Sequence, residues 1–72
     1  MMLNPIKIYD VVALLKDIPQ KNLSKGQVGT AVEQLDDNVF EIEFVNTKGE
    51  TLALEAVHTA DLFLLHFELE KA

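Results

Sequence analysis

Phe40, Ile42 and Phe44 alternate with Glu41 and Glu43, so the stretch Val39 to Val45 repeats apolar and acidic side chains with a period of two. A helix would scatter that pattern around its circumference, whereas a strand sends alternate side chains to opposite faces. The stretch therefore predicts a strand with one buried and one wet face. Such a strand needs partners, because two strands alone are at best marginally stable in water. Turn signals recur every eight to twelve residues through the 72-residue chain, the spacing of a small all-β barrel or sandwich.

The expected strands cover about Tyr9 to Asp17, Gln27 to Leu35, Val39 to Asn46, Glu50 to His58 and Leu62 to Leu69. Pro19 ends the first, since it cannot donate to a ladder. Gln20 to Gly26 form a polar loop whose only apolar residue, Leu23, is expected to fold back over the core. Thr59-Ala60-Asp61 read as a short turn, one 3₁₀ turn at most. In the last segment Leu65, Phe67 and Leu69 alternate with His66, Glu68 and Glu70, which favours strand over helix. No linker or repeat divides the chain, so residues 1–72 read as one domain with a core over about 9–67.

Parity predicts the register. If Asp36-Asp37-Asn38 and Thr47-Lys48-Gly49 are three-residue hairpin loops, Asn38 and Gly49 take the left-handed conformation. Val28, Thr30 and Val32 then share the inner face with Phe40, Ile42 and Phe44 and with Leu52, Leu54 and Ala56. Val32 pairs with Ile42 and Phe44 with Leu52. On the outer face Glu33, Glu41 and Glu55 line up across three strands, beside an apolar row of Leu35, Val39 and Val57.

Charge narrows the function. Twelve acids stand against six lysines, with no Arg, for a net charge of −6. Nucleic-acid recognition leans on Arg forks and basic patches, so this balance argues against it, and an anionic membrane surface would repel the chain as well. No apolar run approaches the roughly 18 residues of a membrane span, and MMLNPIKIYD lacks the basic start and apolar stretch of a signal peptide. The expectation is an acidic cytoplasmic protein. With no Cys, thiolate chemistry, zinc ribbons and disulfide scaffolds are excluded.

The stretches YDVVALLKDIP, LSKGQVGTAVEQL and VFEIEFVNTKGETLAL together resemble the family called domain of unknown function 4926. The match covers about residues 9 to 65, with its motifs in the family's order. It departs from the pattern at Leu62 to Leu64 and in the charged tail Glu68 to Lys71. The resemblance implies a small bacterial SH3-like barrel of five antiparallel strands and brings no activity with it. Some members resemble partners in two-gene cassettes of the toxin–antitoxin or immunity kind. Lys25 to Val32 also resembles the core of the KOW motif of nucleic-acid-binding barrels. Gly26 and Gly29 there bracket a strand start, where the chain turns sharply and leaves little room for side chains.

Catalytic constellations do not assemble from the residue types present. Ser24 is the only serine, and nothing directs His58 or His66 toward it as a triad requires. His58 and Asp61 offer two metal ligands where three or four are needed. Glu41 and Glu43 sit about 6.5 to 7 Å apart as same-face strand neighbours, but a flat acidic face lacks the apolar pocket that raises a carboxyl pKa. Lys25 to Thr30 lacks the P-loop's glycine spacing and following helix, and one Tyr with four mostly core Phe cannot build an aromatic cage.

The expected function is thus a non-enzymatic interaction module without cofactor or metal. Its partner would be a protein with a basic surface, and the chain itself a monomer or weak homodimer. The candidate interface is Glu33, Leu35, Val39, Glu41, Glu43, Glu55 and Val57, an apolar strip rimmed by acids. The strip is either free for a partner or covered by Met1 to Ile8 or the C-terminal tail, with Lys7 or Lys71 balancing the acids. A KOW-like nucleic-acid binder and a small structural subunit of a larger complex are the alternatives.

Overall fold

The computed structural model describes residues 6–66 of the chain. It is all-β: five antiparallel strands, β1 (Val11–Leu14), β2 (Val28–Asp36), β3 (Val39–Val45), β4 (Thr51–His58) and β5 (Leu62–His66), lie in the order β4-β3-β2-β1-β5. Two 3₁₀ turns interrupt them, Pro19–Lys21 after β1 and Thr59–Asp61 between β4 and β5. That order, with a 3₁₀ turn leading into the last strand, is compatible with the expected SH3-like barrel. The ladder is not closed, because β4 and β5 are both outer strands. No helix among the described residues is long and apolar enough to cross a membrane.

The alternating strand behaves as its sequence dictates. Phe40, Ile42 and Phe44 are buried to within 1% of full enclosure, and Glu41, Glu43 and Val45 keep partial exposure. Around them Val12, Leu14, Ala31, Val57 and Leu62 complete one core, which Ile6, Ile18 and Leu23 close from the loops. Leu23 is 2% exposed, held by reciprocal backbone bonds between Ile18 and Leu23. Asn22 supports that return: it caps the first 3₁₀ turn in the left-handed conformation, φ 61°.

The second, third and fourth strands lie within one residue of their expected bounds, and the first is much shorter than expected. β1 starts only at Val11 because Lys7 to Asp10 make a tight turn, in which Asp10 accepts a bond from the Lys7 amide at 2.9 Å. It ends at Leu14, which exchanges backbone bonds with Gly26 and Gln27 just before β2, and the Leu15 amide makes a last bond to the Asp61 carbonyl on the β5 side. The expected extension of the last strand to Leu69 lies outside the described residues.

Inward parity fails on two strands, and β-bulges are the cause. Near the second hairpin Val45 pairs with Thr51, which fits the expected Phe44–Leu52 register. Leu52 is then an extra residue, so Phe44 meets Ala53, Ile42 meets Glu55 and Phe40 meets Val57. One inserted residue turns every later side chain to the other face. Leu52 and Leu54, expected inside, are therefore 50% and 53% exposed, and Ala56 is exposed too, while Val57 is 3% exposed. On β2 the register shifts twice, with Val32 and Leu35 as the unpaired residues. Gly29 and Ala31 take the inner positions opposite Phe44 and Ile42, in place of Val28, Thr30 and Val32.

The two hairpin turns differ from one another. Gly49 is left-handed as expected, φ +83°, but Asn46 organises the loop: its Oδ1 accepts from the Lys48 and Glu50 amides at 2.8 and 3.0 Å. Asn38 does not take positive φ. The first loop is only Asp37-Asn38, the Asn38 carbonyl accepts the Thr59 amide, and the Leu35 bulge absorbs the offset that a left-handed Asn38 was expected to supply.

Candidate functional site

The outer face of the sheet gathers the acids that the sequence placed there, in a narrower row. Glu33 lies directly opposite Glu41, as expected. Beyond Glu41 stands Ala56, because the Leu52 bulge moves Glu55 to the inner face opposite Ile42. Glu55 is there within 3.6 Å of the Lys21 ammonium, its side chain 24% exposed. The row is two carboxylates wide, so Glu41 has one like-charged neighbour in place of two. One residue pair along, Glu43 lies between Thr30 and Leu54 and accepts a 2.5 Å bond from the Thr51 hydroxyl.

The expected apolar row does not form. Val57 is core, packed opposite Phe40. Leu35 is 47% exposed but sits in a bulge off the ladder, and Val39 is half-buried between Asp36 and His58. Of the seven candidate residues, Glu33, Glu41, Glu43 and Val39 share the outer face, whereas Glu55 and Val57 leave it.

A different apolar strip takes its place. Phe63, Ala13 and Val28 lie opposite one another on β5, β1 and β2, with Phe63 56% and Val28 43% exposed. Val28, Val45 and Leu52 then wall an open groove of about 680 Å³, bounded by the loops at Ser24–Gln27 and Asn46–Thr47. Leu54 continues the strip beside Glu43. Sequence reasoning missed it because the strip depends on the Leu52 bulge, and no residue type at 51–53 announces a bulge. Val28 carried a signal: it precedes Gly29, and a glycine forced inward by crowding sends its neighbour outward.

The residues weighed for chemistry stay apart. His58 accepts the Ala60 amide on Nδ1 at 3.0 Å, which caps the second 3₁₀ turn. Asp61 is engaged by Lys16 at 3.1 Å. Both border a cleft of about 240 Å³ between Lys16–Gln20 and the end of β4. Ser24 is exposed in its loop. No group of three His, Asp or Glu side chains is arranged to hold a metal ion among the described residues.

An acidic five-stranded sheet domain with its polar and apolar features sorted into adjacent strips is thus the class the geometry defines. The family model described as "Domain of unknown function (DUF4926)" matches residues 8–64, and the chain belongs to that family. No curated protein and no solved structure matches the chain.

Proposed function

We propose that this protein is a non-enzymatic interaction module of the bacterial cytoplasm that binds a basic protein through the outer face of its sheet, as the small neutralising member of a two-gene cassette. One observation carries the reading: Glu33, Glu41 and Glu43 stand beside the exposed strip of Val28, Leu52, Leu54 and Phe63. Apolar side chains supply buried area to an interface, and a rim of one charge selects a partner of the other and speeds its approach. Contiguous exposed apolar surface of this kind is uncommon on a soluble monomer without a binding role.

The net charge of −6 supports a basic partner over nucleic acid or an anionic membrane. The test is a titration of isotopically labelled protein with the product of the neighbouring gene, followed by amide chemical shifts. Shifts concentrated at Thr30, Glu33, Glu41, Glu43 and Leu54 are expected. Shifts confined to the cleft beside Lys16 and His58, or no binding, would overturn the reading.

A further inference from the structure

Tyr9 is the only tyrosine of the chain, and its backbone sits where a glycine would be relaxed. It holds the third position of the turn Lys7 to Asp10, which the Asp10 amide closes on the Lys7 carbonyl at 3.0 Å, and its φ is 79°. Turns and bulges with a left-handed residue at such a place take Gly or Asn, because other side chains are strained there. The turn is pinned to β2 as well. The Tyr9 amide donates to the Ala31 carbonyl at 2.5 Å, and the Asp10 carbonyl accepts from the Ala31 amide at 2.9 Å. Both are backbone bonds, so neither requires a tyrosine. No packing offsets the strain: Tyr9 is 76% exposed, more than any other large apolar or aromatic residue described. Among the described residues nothing bonds its hydroxyl.

An aromatic ring held in a strained turn and covering no core points to a contact outside the molecule. We infer that Tyr9 stacks on an arginine side chain of the partner. The inference rests on the basic-partner reading and names the side chain that this end of the outer face selects. Glu33 follows Ala31 by two residues on β2, which places Tyr9 and Glu33 one strand and two residues apart, about 8 Å between Cα atoms. A long cationic side chain lying on the ring can therefore reach the carboxylate. Asp10, Glu33 and Glu41 outnumber Lys7 around the turn, and none of the three acids is ion-paired among the described residues.

Arginine fits this pairing better than lysine. Its planar guanidinium lies flat on a tyrosine ring and turns its edge to a carboxylate, whereas an ammonium is a strongly hydrated point charge. The chain has no Arg of its own, so no intramolecular guanidinium fills the place.

Two acetylated and amidated peptides, hexa-arginine and hexa-lysine, separate the ring from the acids, because both carry the same charge. Titrated into isotopically labelled protein at low salt, hexa-arginine should bind several-fold more tightly than hexa-lysine. It should also move the tyrosine ring signals, which are unambiguous in a chain with one tyrosine. Tyr9→Phe keeps a ring and should keep the preference. Tyr9→Leu and Tyr9→Asn should bring the two peptides to equal affinity while shifts at Glu33 and Glu41 persist.

Stability gives a second readout, which a merely structural tyrosine would move the other way. The urea midpoint of Tyr9→Asn should equal or exceed that of the parent, because asparagine tolerates the left-handed conformation and no packing is lost. Equal affinities for the two peptides in the parent, a preference that survives Tyr9→Leu, or a lower midpoint for Tyr9→Asn would each overturn the inference. Equal affinities with shifts at Glu33, Glu41 and Glu43 would leave the basic-partner reading standing without the arginine. No shift on the outer face with either peptide would remove both.

Discussion

Gly29 lies directly opposite Phe44, and a β-carbon at Gly29 would come within 2.8 Å of the Phe44 ring and 2.7 Å of the Glu43 carbonyl oxygen and the Ile42 side chain. Gly29→Ala is therefore expected to cost about 1 to 3 kcal/mol or more, since a backbone oxygen cannot step aside as a flexible side chain can. Gly26 is glycine for another reason. Nothing lies within 4 Å of its missing side chain, but its φ of +91° strains any L-residue. Urea melts of Gly29→Ala and Gly26→Ala check this, and an unchanged midpoint for Gly29→Ala would contradict the packing.

Core and surface on β3 and β4 separate cleanly by mutation. Phe44→Ala should cost about 3 to 5 kcal/mol, most of what so small a domain has. Leu52→Ser and Leu54→Ser, at side chains about half exposed, should each stay within about 0.5 kcal/mol of the parent. Large losses in the two serine variants would return those leucines to the core and remove the bulge.

Alternation alone made β3 legible, and the expected neighbours survive where the bulges leave the expected register, between Val32 and Leu35 on β2 and at Val45–Thr51. Glu33 opposite Glu41 is one such pair, and the left-handed Gly49 closes the second turn as its residue type requires. What failed shares one physical cause. A bulge is a single extra residue selected by three-dimensional twist and core volume, and Leu52, Val32 and Leu35 look like ordinary strand residues in sequence. Each bulge left the strand in place but reversed its faces. The acidic half of the candidate site was thus readable at Glu33, Glu41 and Glu43, while the apolar half moved from Leu35, Val39 and Val57 to Val28, Leu52, Leu54 and Phe63.

Glu33 and Glu41 repel across the ladder, so Glu33→Lys should stabilise the fold by about 0.2 to 1 kcal/mol through an opposite-charge pair. The gain should shrink as salt is added. A melt at low and high ionic strength checks both the sign and the salt dependence, and a destabilised variant would show that the two side chains do not face each other.

Glycine spacing at Gly26 and Gly29 resembles a nucleic-acid-binding motif, yet crowding at one and positive φ at the other already account for both. The protein should pass through a heparin column unretained and leave bulk RNA unshifted at low salt. Retention that falls steeply with salt would mark a phosphate-binding surface.

Binding of a basic protein by the outer face is tested most directly by the association rate with the neighbouring gene's product, measured for the parent and for Glu41→Lys across ionic strength. Long-range attraction sets that rate, and salt screens it. The parent should associate fastest at low salt and slow down as salt rises, while Glu41→Lys, folded at least as stably as the parent, should be several-fold slower at low salt and converge with it at high salt. Equal rates and equal affinities at every salt concentration would place the interface elsewhere on the molecule.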